Sequence, residues 1–346
     1  MNSGSTSCGC GPRLPASRAE SENTKQIHSP AVAYAAPMRP FRFAVQATGA
    51  PDGKAWRALA RQTEDLGYST LYLPDHFGDQ WGPLVALTAA AEATSSLRVG
   101  SLVFDNDYRH PIELAKELAT LSILSEGRVE FGIGAGWMRS DYEESGIPYD
   151  SPGVRIERMV EALHIMKDLW AEGTSTRSGR HYTVTKAQGL PQPYEGRCPP
   201  VVIGGGGRRV LSVAAREADI IGFNPSLAAG YVGPEAAASA LPERYRERVA
   251  WVKAAAGDRI DRLEFQVLTF MVQVIPNRDE VLRNLAPLFG LTADQAAEVP
   301  LVLVGTPEQI CDTLQARREE YGFSYWVVHE GDVAAFAPVV ERLAGE

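Results

Sequence analysis

Residues 70–104 read TLYLPDHFGDQWGPLVALTAAAEATSSLRVGSLVF and contain the unit that decides the fold. The apolar run Thr70–Pro74 predicts a strand, the alanine-rich segment Pro83–Thr94 predicts a helix, and Leu97–Phe104 predicts a second strand. Two strands joined through a helix lie parallel in one sheet. The stretch therefore predicts a β–α–β unit of an α/β protein.

The same alternation of apolar runs and helical segments extends to both sides of this unit. The predicted strands are Phe41–Gln46, Thr70–Pro74, Leu97–Phe104, Val129–Ile133, Pro200–Ile203, Ile220–Phe223, Phe265–Ile275 and Tyr325–His329. Because no break in composition divides the chain, eight strands that alternate with helices favour a closed parallel (β/α)8 TIM barrel over an open sheet. The segment Thr174–Pro199 departs from the alternation and is predicted to form an inserted hairpin.

Proline and glycine mark the ends of several predicted helices. Pro111 suits the first turn of a helix, where its missing N–H group costs nothing, and Gly67 and Gly127 suit positions just after a helix. Other segments with one apolar face predict the helices Val154–Glu172, Arg208–Glu217, Pro242–Ala256 and Pro307–Tyr321.

The chain of 346 residues divides into a polar start and a long alternating body. Residues 1–37 are rich in serine, glycine and proline and show neither helical nor strand period, which predicts a flexible N-terminal tail. Residues 38–346 form the predicted barrel domain, and their length is sufficient for one large core.

Composition excludes several classes of partner. The net charge of −9 makes nucleic acid and anionic membrane surfaces poor partners. No apolar run approaches the roughly 20 residues that span a bilayer, and the start of the chain lacks the order of a secretory signal. The four cysteines have neither disulfide nor metal-ligand spacing. These features predict a cytoplasmic protein that has no metal site and acts on a small molecule.

In a parallel barrel the active site lies at the carboxyl ends of the strands. Asp75 and His76 directly follow the predicted strand Thr70–Pro74. A carboxylate beside an imidazole biases its tautomer, and a histidine held in this way transfers protons near neutral pH. We therefore predict Asp75 and His76 as catalytic residues. The alternative is that His76 only caps the strand by hydrogen bonds to the backbone.

Two glycine clusters follow predicted strands, one at residues 132–136 and one at residues 204–207. Glycine lets backbone amides approach a phosphate, and the second cluster runs into a helix that begins at Arg208, whose amino end favours an anion. The alternative is that the glycines serve tight turns that need positive φ. Neither cluster fits the dinucleotide-binding fingerprint, since no acidic residue is clearly placed about 20 positions further on.

The motifs along the chain resemble those of the luciferase-like superfamily, in particular its deazaflavin-dependent branch, over about residues 38–335. The resemblance is carried by LPDHF (73–77), LRVGS (97–101), YRHP (108–111), AKELATLSILSEGR (115–128), GIGAGW (132–137), VVIGG (201–205) and LVGTP (303–307). The resemblance implies a (β/α)8 barrel with an inserted segment, an often dimeric assembly and a flavin-like ring across the strand ends.

The resemblance also implies roles for individual residues. A non-prolyl cis peptide is expected near Ser101–Leu102 or one residue further on, against the ring. Asp75 and His76 correspond to residues near the ring and the substrate. The positions expected to bind the cofactor are Ser101, Leu102, Asn106, Gly134, Ala135, Gly136, Gly205, Gly206, Gly207 and Arg208. Trp137 stands where the sugar-phosphate dehydrogenases of this branch have a glutamate, which favours a less polar substrate.

Three functions are compatible with these features. The first is a homodimeric oxidoreductase that uses the 8-hydroxy-5-deazaflavin coenzyme F420 to reduce an activated C=C or C=N bond of a small molecule or natural-product intermediate. The second is a monooxygenase that uses flavin mononucleotide (FMN) and depends on a separate flavin reductase. The third is a barrel that binds a ligand without turnover.

Overall fold

The computed structural model describes residues 38–346, except for the side chains of residues 234, 288 and 289. The predicted tail, residues 1–37, lies outside the described residues. Within the described part of the chain, no helix combines the length and the apolar character needed to cross a membrane.

Parallel strands close into a barrel, as predicted. In chain order, the first strands of the barrel are β1 (Arg42–Gln46), β2 (Thr70–Leu73), β3 (Arg98–Ser101), β4 (Phe104–Asp105) and β5 (Val129–Gly134). Strands β6 (Thr174–Ser178) and β7 (Thr183–Gln188) follow and lie outside the barrel. The chain continues with β8 (Val201–Gly205), β9 (Ile220–Phe223), β10 (Glu264–Leu268), β11 (Met271–Val274), β12 (Val302–Gly305) and β13 (Phe323–His329). The parallel pairing runs β1–β2–β3–β5–β8–β9–β10–β13 and returns to β1. Strand β4 continues β3 after a break and pairs with β5.

Helices follow the strands on the outside of the barrel. They are α1 (Gly53–Asp65), α2 (Pro83–Glu92), α3 (Pro111–Leu124), α4 (Arg139–Ser145), α5 (Pro152–Ala171), α6 (Arg208–Glu217), α7 (Pro234–Ala238), α8 (Pro242–Ala256), α9 (Arg278–Leu285), α10 (Ala293–Glu298), α11 (Pro307–Tyr321) and α12 (Val333–Leu343). Pro111 occupies the first turn of α3 as predicted, and Gly67 has a φ of 81° just after α1. The predicted bounds of α6, α8 and α11 are confirmed.

The core lies between the strands and the surrounding helices, and large aromatic side chains fill it. Trp56 and Trp170 are almost fully buried, and the indole N–H of each donates to a backbone carbonyl at 2.8 and 3.0 Å. Trp170 packs edge-on against Phe131 of β5, with 5.4 Å between ring centroids. Helix α5 is thereby fixed against the barrel wall that carries one of the glycine clusters.

A polar cluster fills the barrel interior at the amino ends of the strands. The buried carboxylate of Glu130 accepts hydrogen bonds from Arg42, Arg98, Tyr72 and Tyr325. Burial alone would raise the pKa of Glu130, but the positive charges of Arg42 and Arg98 outweigh it and lower this pKa. The cluster satisfies the polar groups at the closed end of the barrel and leaves the opposite end open.

The predicted strand Phe265–Ile275 is wrong in its extent. The chain leaves the barrel after β10, and β11 pairs instead with β12 in a separate parallel two-stranded sheet. The sequence from Phe265 to Ile275 contains neither glycine nor proline, so no residue marks the break. The predicted hairpin is confirmed, since β6 and β7 pair antiparallel.

Candidate active site

A large cavity opens at the carboxyl ends of the barrel strands. Its volume is about 1590 Å³. Its wall includes residues at or just after the ends of the barrel strands, among them Gln46, Asp75, His76, Leu102, Asp105, Gly134, Gly205, Asn224, Leu268 and His329. The cavity therefore lies where the barrel fold predicts an active site.

The cavity brings together most of the residues predicted from the sequence. The predicted residues on its wall are Asp75, His76, Leu102, Gly134, Ala135, Gly136, Gly205, Gly206, Gly207 and Arg208. Ser101 and Asn106 are buried but are not among the described residues that line it. The amide nitrogen of Asn106 lies 3.4 Å from the hydroxyl of Tyr182, in the layer behind the wall.

His76 is held by a buried carboxylate from another part of the chain. Its Nδ1 atom lies 2.6 Å from Oδ2 of Asp141, which also accepts a hydrogen bond of 2.9 Å from the hydroxyl of Tyr108. Trp137 meets the imidazole edge-on at 5.6 Å between centroids. Since a carboxylate accepts hydrogen bonds, Nδ1 of the neutral ring carries the proton. Nε2 is then the basic nitrogen of His76, a side chain on the cavity wall.

The predicted partnership between Asp75 and His76 is therefore wrong. The carboxylate of Asp75 accepts hydrogen bonds of 2.5 and 3.0 Å from Arg109 and one of 3.1 Å from the backbone N–H of Asp105. Successive side chains in extended backbone point to opposite sides, which separates Asp75 from His76. Asp141 takes the expected role, 65 positions further along the chain, in a short helix with no clear apolar period in the sequence.

The peptide bond between Leu102 and Val103 is cis, at one of the two positions expected from the resemblance. Both residues line the cavity. The carbonyl of Leu102 accepts a hydrogen bond of 3.0 Å from the side-chain amide of Gln46, and its N–H donates to Leu73 at 2.8 Å. The break between β3 and β4 is thus fixed by hydrogen bonds to β1 and β2 and presents two apolar side chains to the cavity.

Packing explains the glycines that follow β5. A Cβ atom on Gly134 would lie 2.6 Å from the side chain of Val103, and one on Gly136, whose φ is 71°, would lie 1.8 Å from the hydroxyl of Tyr142. Arg155 holds the same loop, because its guanidinium donates to the carbonyls of Ala135 and Gly136 at 3.1 and 3.3 Å. The backbone therefore requires these glycines whether or not a phosphate binds there.

The second glycine cluster has different geometry. None of Gly205, Gly206 and Gly207 has a positive φ, so the turn alternative does not explain them. A Cβ atom on Gly206 would lie 2.2 Å from the carbonyl oxygen of Pro225, whereas one on Gly207 would meet nothing within 4 Å. Gly207 precedes α6 without a side-chain cap, and the neighbouring Arg208 is exposed. Uncapped N–H groups beside a cation suit an anionic group of a ligand.

Asp105 is a buried acid on the cavity wall, at the end of a predicted strand, to which the sequence prediction assigned no role. Its carboxylate accepts a hydrogen bond from the N–H of Asp107 at 2.9 Å and lies 3.3 Å from the hydroxyl of Tyr142. Burial, with smaller contributions from the charges of Asp107 and Asp75, raises the pKa of Asp105 to about 7. The site therefore contains a carboxyl group that titrates near neutral pH.

Comparison with known proteins agrees with this architecture. The sequence model of luciferase-like monooxygenases matches residues 38–325. The fold and the cavity at its strand ends define a (β/α)8 barrel with a candidate active site. The chain belongs to the luciferase-like monooxygenase family.

Curated relatives share part of the chain. An uncharacterized protein of Mycobacterium tuberculosis is 31% identical over 185 residues, which cover 47% of this chain and 64% of the relative. An F420-dependent glucose-6-phosphate dehydrogenase of Amycolatopsis mediterranei is 29% identical over 168 residues, which cover 46% of this chain and 50% of the relative. The chain thus spans less than two thirds of the length of either of these two relatives.

Solved structures confirm the fold over most of the chain. The coenzyme F420-dependent tetrahydromethanopterin reductase of Methanopyrus kandleri has a TM-score of 0.69 at 17% identity and covers 88% of this chain and 98% of its own. The oxygenating constituent of 3,6-diketocamphane monooxygenase of Pseudomonas putida, solved with FMN, has a TM-score of 0.66 at 17% identity with the same coverage of 88% and 98%. Proteins with the same barrel therefore include a deazaflavin enzyme and an FMN enzyme.

Proposed function

We propose that this protein is a coenzyme F420-dependent oxidoreductase that reduces an activated C=C or C=N bond of a small molecule. The observation that carries the proposal is the arrangement of His76, which is held through Nδ1 by the buried Asp141 on the wall of the cavity that Leu102 and Val103 also line. The F420-dependent enzymes among its relatives and structural neighbours support the choice of coenzyme.

The residues of the cavity fit a deazaflavin in three respects. Leu102, Val103 and Leu268 give it apolar wall, which suits a planar ring system. Uncapped amides at the start of α6, together with Arg208, suit the anionic tail. The volume of about 1590 Å³ exceeds the roughly 300–1000 Å³ of a typical ligand pocket, which leaves room for a substrate beside a cofactor.

The coenzyme and His76 supply different parts of the reduction. A reduced deazaflavin, when bound, supplies a hydride, that is one hydrogen nucleus with two electrons, to one atom of the C=C or C=N bond. The other atom of that bond takes a proton, which His76 delivers or organises through Nε2. Asp141 keeps Nδ1 protonated, so that only Nε2 exchanges a proton with the substrate.

The aromatic wall beside His76 favours a less polar substrate than a sugar phosphate. The sugar-phosphate dehydrogenases of the deazaflavin branch, which this chain resembles, have a glutamate at the position of Trp137. The ring of Trp137 packs edge-on against His76. An indole accepts no strong hydrogen bond from a sugar hydroxyl. We therefore propose that sugar phosphates are not the substrates, although one relative is named as a glucose-6-phosphate dehydrogenase.

Side-by-side titration of the ligand-free protein with coenzyme F420 and with FMN, followed by tryptophan quenching, tests the cofactor. We expect micromolar or tighter binding of F420 and much weaker binding of FMN. Preference for FMN would overturn the assignment and favour a monooxygenase, for which the structural neighbour solved with FMN is the precedent. Substrate-dependent oxygen uptake with reduced FMN would then identify that activity, and binding of neither molecule would refute both cofactors.

We also propose that the protein acts as a homodimer. Val85 of α2 and Ile123 and Leu124 of α3 are large apolar residues that are 81%, 43% and 48% exposed, and α2 packs against α3. Contiguous exposed apolar surface marks protein interfaces, and we propose that α2 and α3 contribute to such a surface. Light scattering coupled to size-exclusion chromatography should give twice the mass of the chain, and a monomer at micromolar concentration would contradict the proposal.

A further inference from the structure

The active-site cavity extends beyond the barrel into a space enclosed by inserted segments. Helices α9 and α10, the sheet formed by β11 and β12, and the segment that joins α7 to α8 provide this part of the wall. We call it the apolar chamber and define it by Leu241, Leu282, Leu285, Leu291, Val299 and Leu301. Leu282 belongs to a separate hydrophobic cluster built around α9, α10 and β12, and Leu291 packs against it, whereas Val299 and Leu301 belong to the main core.

Charge is divided sharply between the two parts of the cavity. The acidic and arginine side chains on the cavity wall all lie between residues 75 and 209 of the chain: Asp75, Asp105, Arg155, Arg208 and Arg209. Among the described residues 227–302, by contrast, no residue that lines the cavity is acidic or basic. A charged or heavily hydroxylated group in the apolar chamber would lose its hydration without gaining partners.

One polar atom on the cavity wall has no partner. The Oε1 atom of Gln80 is buried and makes no hydrogen bond with any described residue, and Gln80 lines the cavity on the loop that begins at His76. Buried polar groups in proteins are nearly always paired, so an unpaired one on a cavity wall indicates a ligand group that pairs with it. Because Oε1 of an amide only accepts hydrogen bonds, it suits one hydroxyl or N–H group of a ligand.

We infer that the substrate is a bulky, uncharged molecule whose hydroxyl or N–H group donates a hydrogen bond to Gln80 and whose apolar body fills the chamber. This inference rests on the proposed function, because it takes the reducible bond to lie beside His76. Apolar side chains at the mouth agree with it: Val232 and Phe270 line the cavity and are 61% and 52% exposed. Burial of hydrocarbon in the chamber would then provide most of the binding free energy.

A homologous series of ligands tests the chamber. The probes are 4-hydroxycyclohex-2-enone, whose hydroxyl group is a donor, and its 6-alkyl derivatives of increasing chain length, titrated by calorimetry into the protein with oxidised coenzyme F420 and without it. Each added methylene should tighten binding by roughly threefold to fourfold, the factor that corresponds to about 0.8 kcal/mol. An affinity that does not change with chain length, or tighter binding of glucose 6-phosphate than of any enone, would overturn the inference.

Two substitutions separate the two contacts. Leu285→Asp places a carboxylate at a half-buried position of the chamber and should remove the gain per methylene. The control Leu190→Asp, at a leucine that is 63% exposed and does not line the cavity, should leave the gain unchanged. Gln80→Leu should weaken every member of the series by about fivefold, equivalent to a net hydrogen bond of about 1 kcal/mol, without changing the gain per methylene. Equal effects of both aspartates, or no effect of Gln80→Leu, would refute the corresponding contact.

The same titrations distinguish this inference from the proposed function. Binding of coenzyme F420 with a flat enone series would refute the chamber and leave the cofactor assignment intact. A steep enone series in a protein that does not bind F420 would support the chamber and refute the deazaflavin proposal.

Discussion

Replacing Asp105 with asparagine should stabilise the protein, and more so as the pH rises. Asp105 is only 6% exposed, and within the described residues no basic side chain lies within ion-pair distance of it. The neighbouring carboxylates do have such partners, since Asp75 pairs with Arg109 at 2.5 Å and Asp107 with Arg158 at 3.0 Å. A buried charge without a partner is costly, and asparagine removes that charge at nearly constant volume.

The magnitude follows from the pKa of Asp105. Its value rises from 3.8 to about 7 in the folded protein because burial disfavours the ionised form. Between these two values the unfolded chain releases the proton and the folded protein keeps it, so stability falls as the pH rises from about 4 to about 7 and stays low above that. Between about pH 5 and about pH 7, a range of roughly 2 pH units, the free energy of unfolding falls by about 3 kcal/mol, at about 1.36 kcal/mol per unit.

Urea unfolding at about pH 5 and about pH 8, followed by tryptophan fluorescence, measures this effect. The free energy of unfolding of Asp105→Asn should exceed that of the wild type, and this difference should be larger by about 3 kcal/mol at the higher pH. The contrasting variant is Asp107→Asn, which removes one of the two carboxylates that pair with Arg158 and should cost about 1–3 kcal/mol at both pH values. An advantage of Asp105→Asn that is equal at both pH values, or larger at the lower one, would refute the reasoning.

Three further predictions concern the site. Asp141→Asn should lower the rate of substrate reduction by roughly tenfold to a hundredfold, with little change in F420 affinity, because the imidazole of His76 loses its orienting carboxylate. Pre-steady-state kinetics measure this rate, and an unchanged rate would exclude the role of Asp141. Gly136→Ala should cost more than about 2 kcal/mol in urea unfolding, because a positive φ and a contact with Tyr142 both oppose a Cβ atom; wild-type stability would mean that the loop can move. Arg208→Ala should weaken F420 binding by about tenfold at low salt and less at high salt. Arg209→Ala should change F420 binding little, because the guanidinium of Arg209 already pairs with Glu157.

The alternation of strands and helices was readable from the sequence because it depends on local periodicity. Apolar runs of strand length separated by amphipathic helices predicted the eight barrel strands, and segments with one apolar face predicted α6, α8 and α11 at their observed bounds. The placement of His76 followed from the same pattern, since a residue just after a barrel strand lies at the open end. The last residues of the GIGAGW motif (134–137) and of the VVIGG motif (204–205) line the cavity for the same reason.

Side-chain partnerships depended on the tertiary structure, because residues distant in sequence meet only after folding. Sequence adjacency suggested Asp75 as the partner of His76, yet the backbone turns the two side chains apart and Asp141 arrives from a helix 65 positions away. The exit of the chain after β10 was equally hidden, because β10 and β11 form one apolar run whose second half gains a different partner strand. That exit builds the apolar chamber. The sequence by itself thus determined the barrel and the end that carries the site, whereas three-dimensional packing decided which carboxylate orients the histidine and how apolar the neighbouring space is.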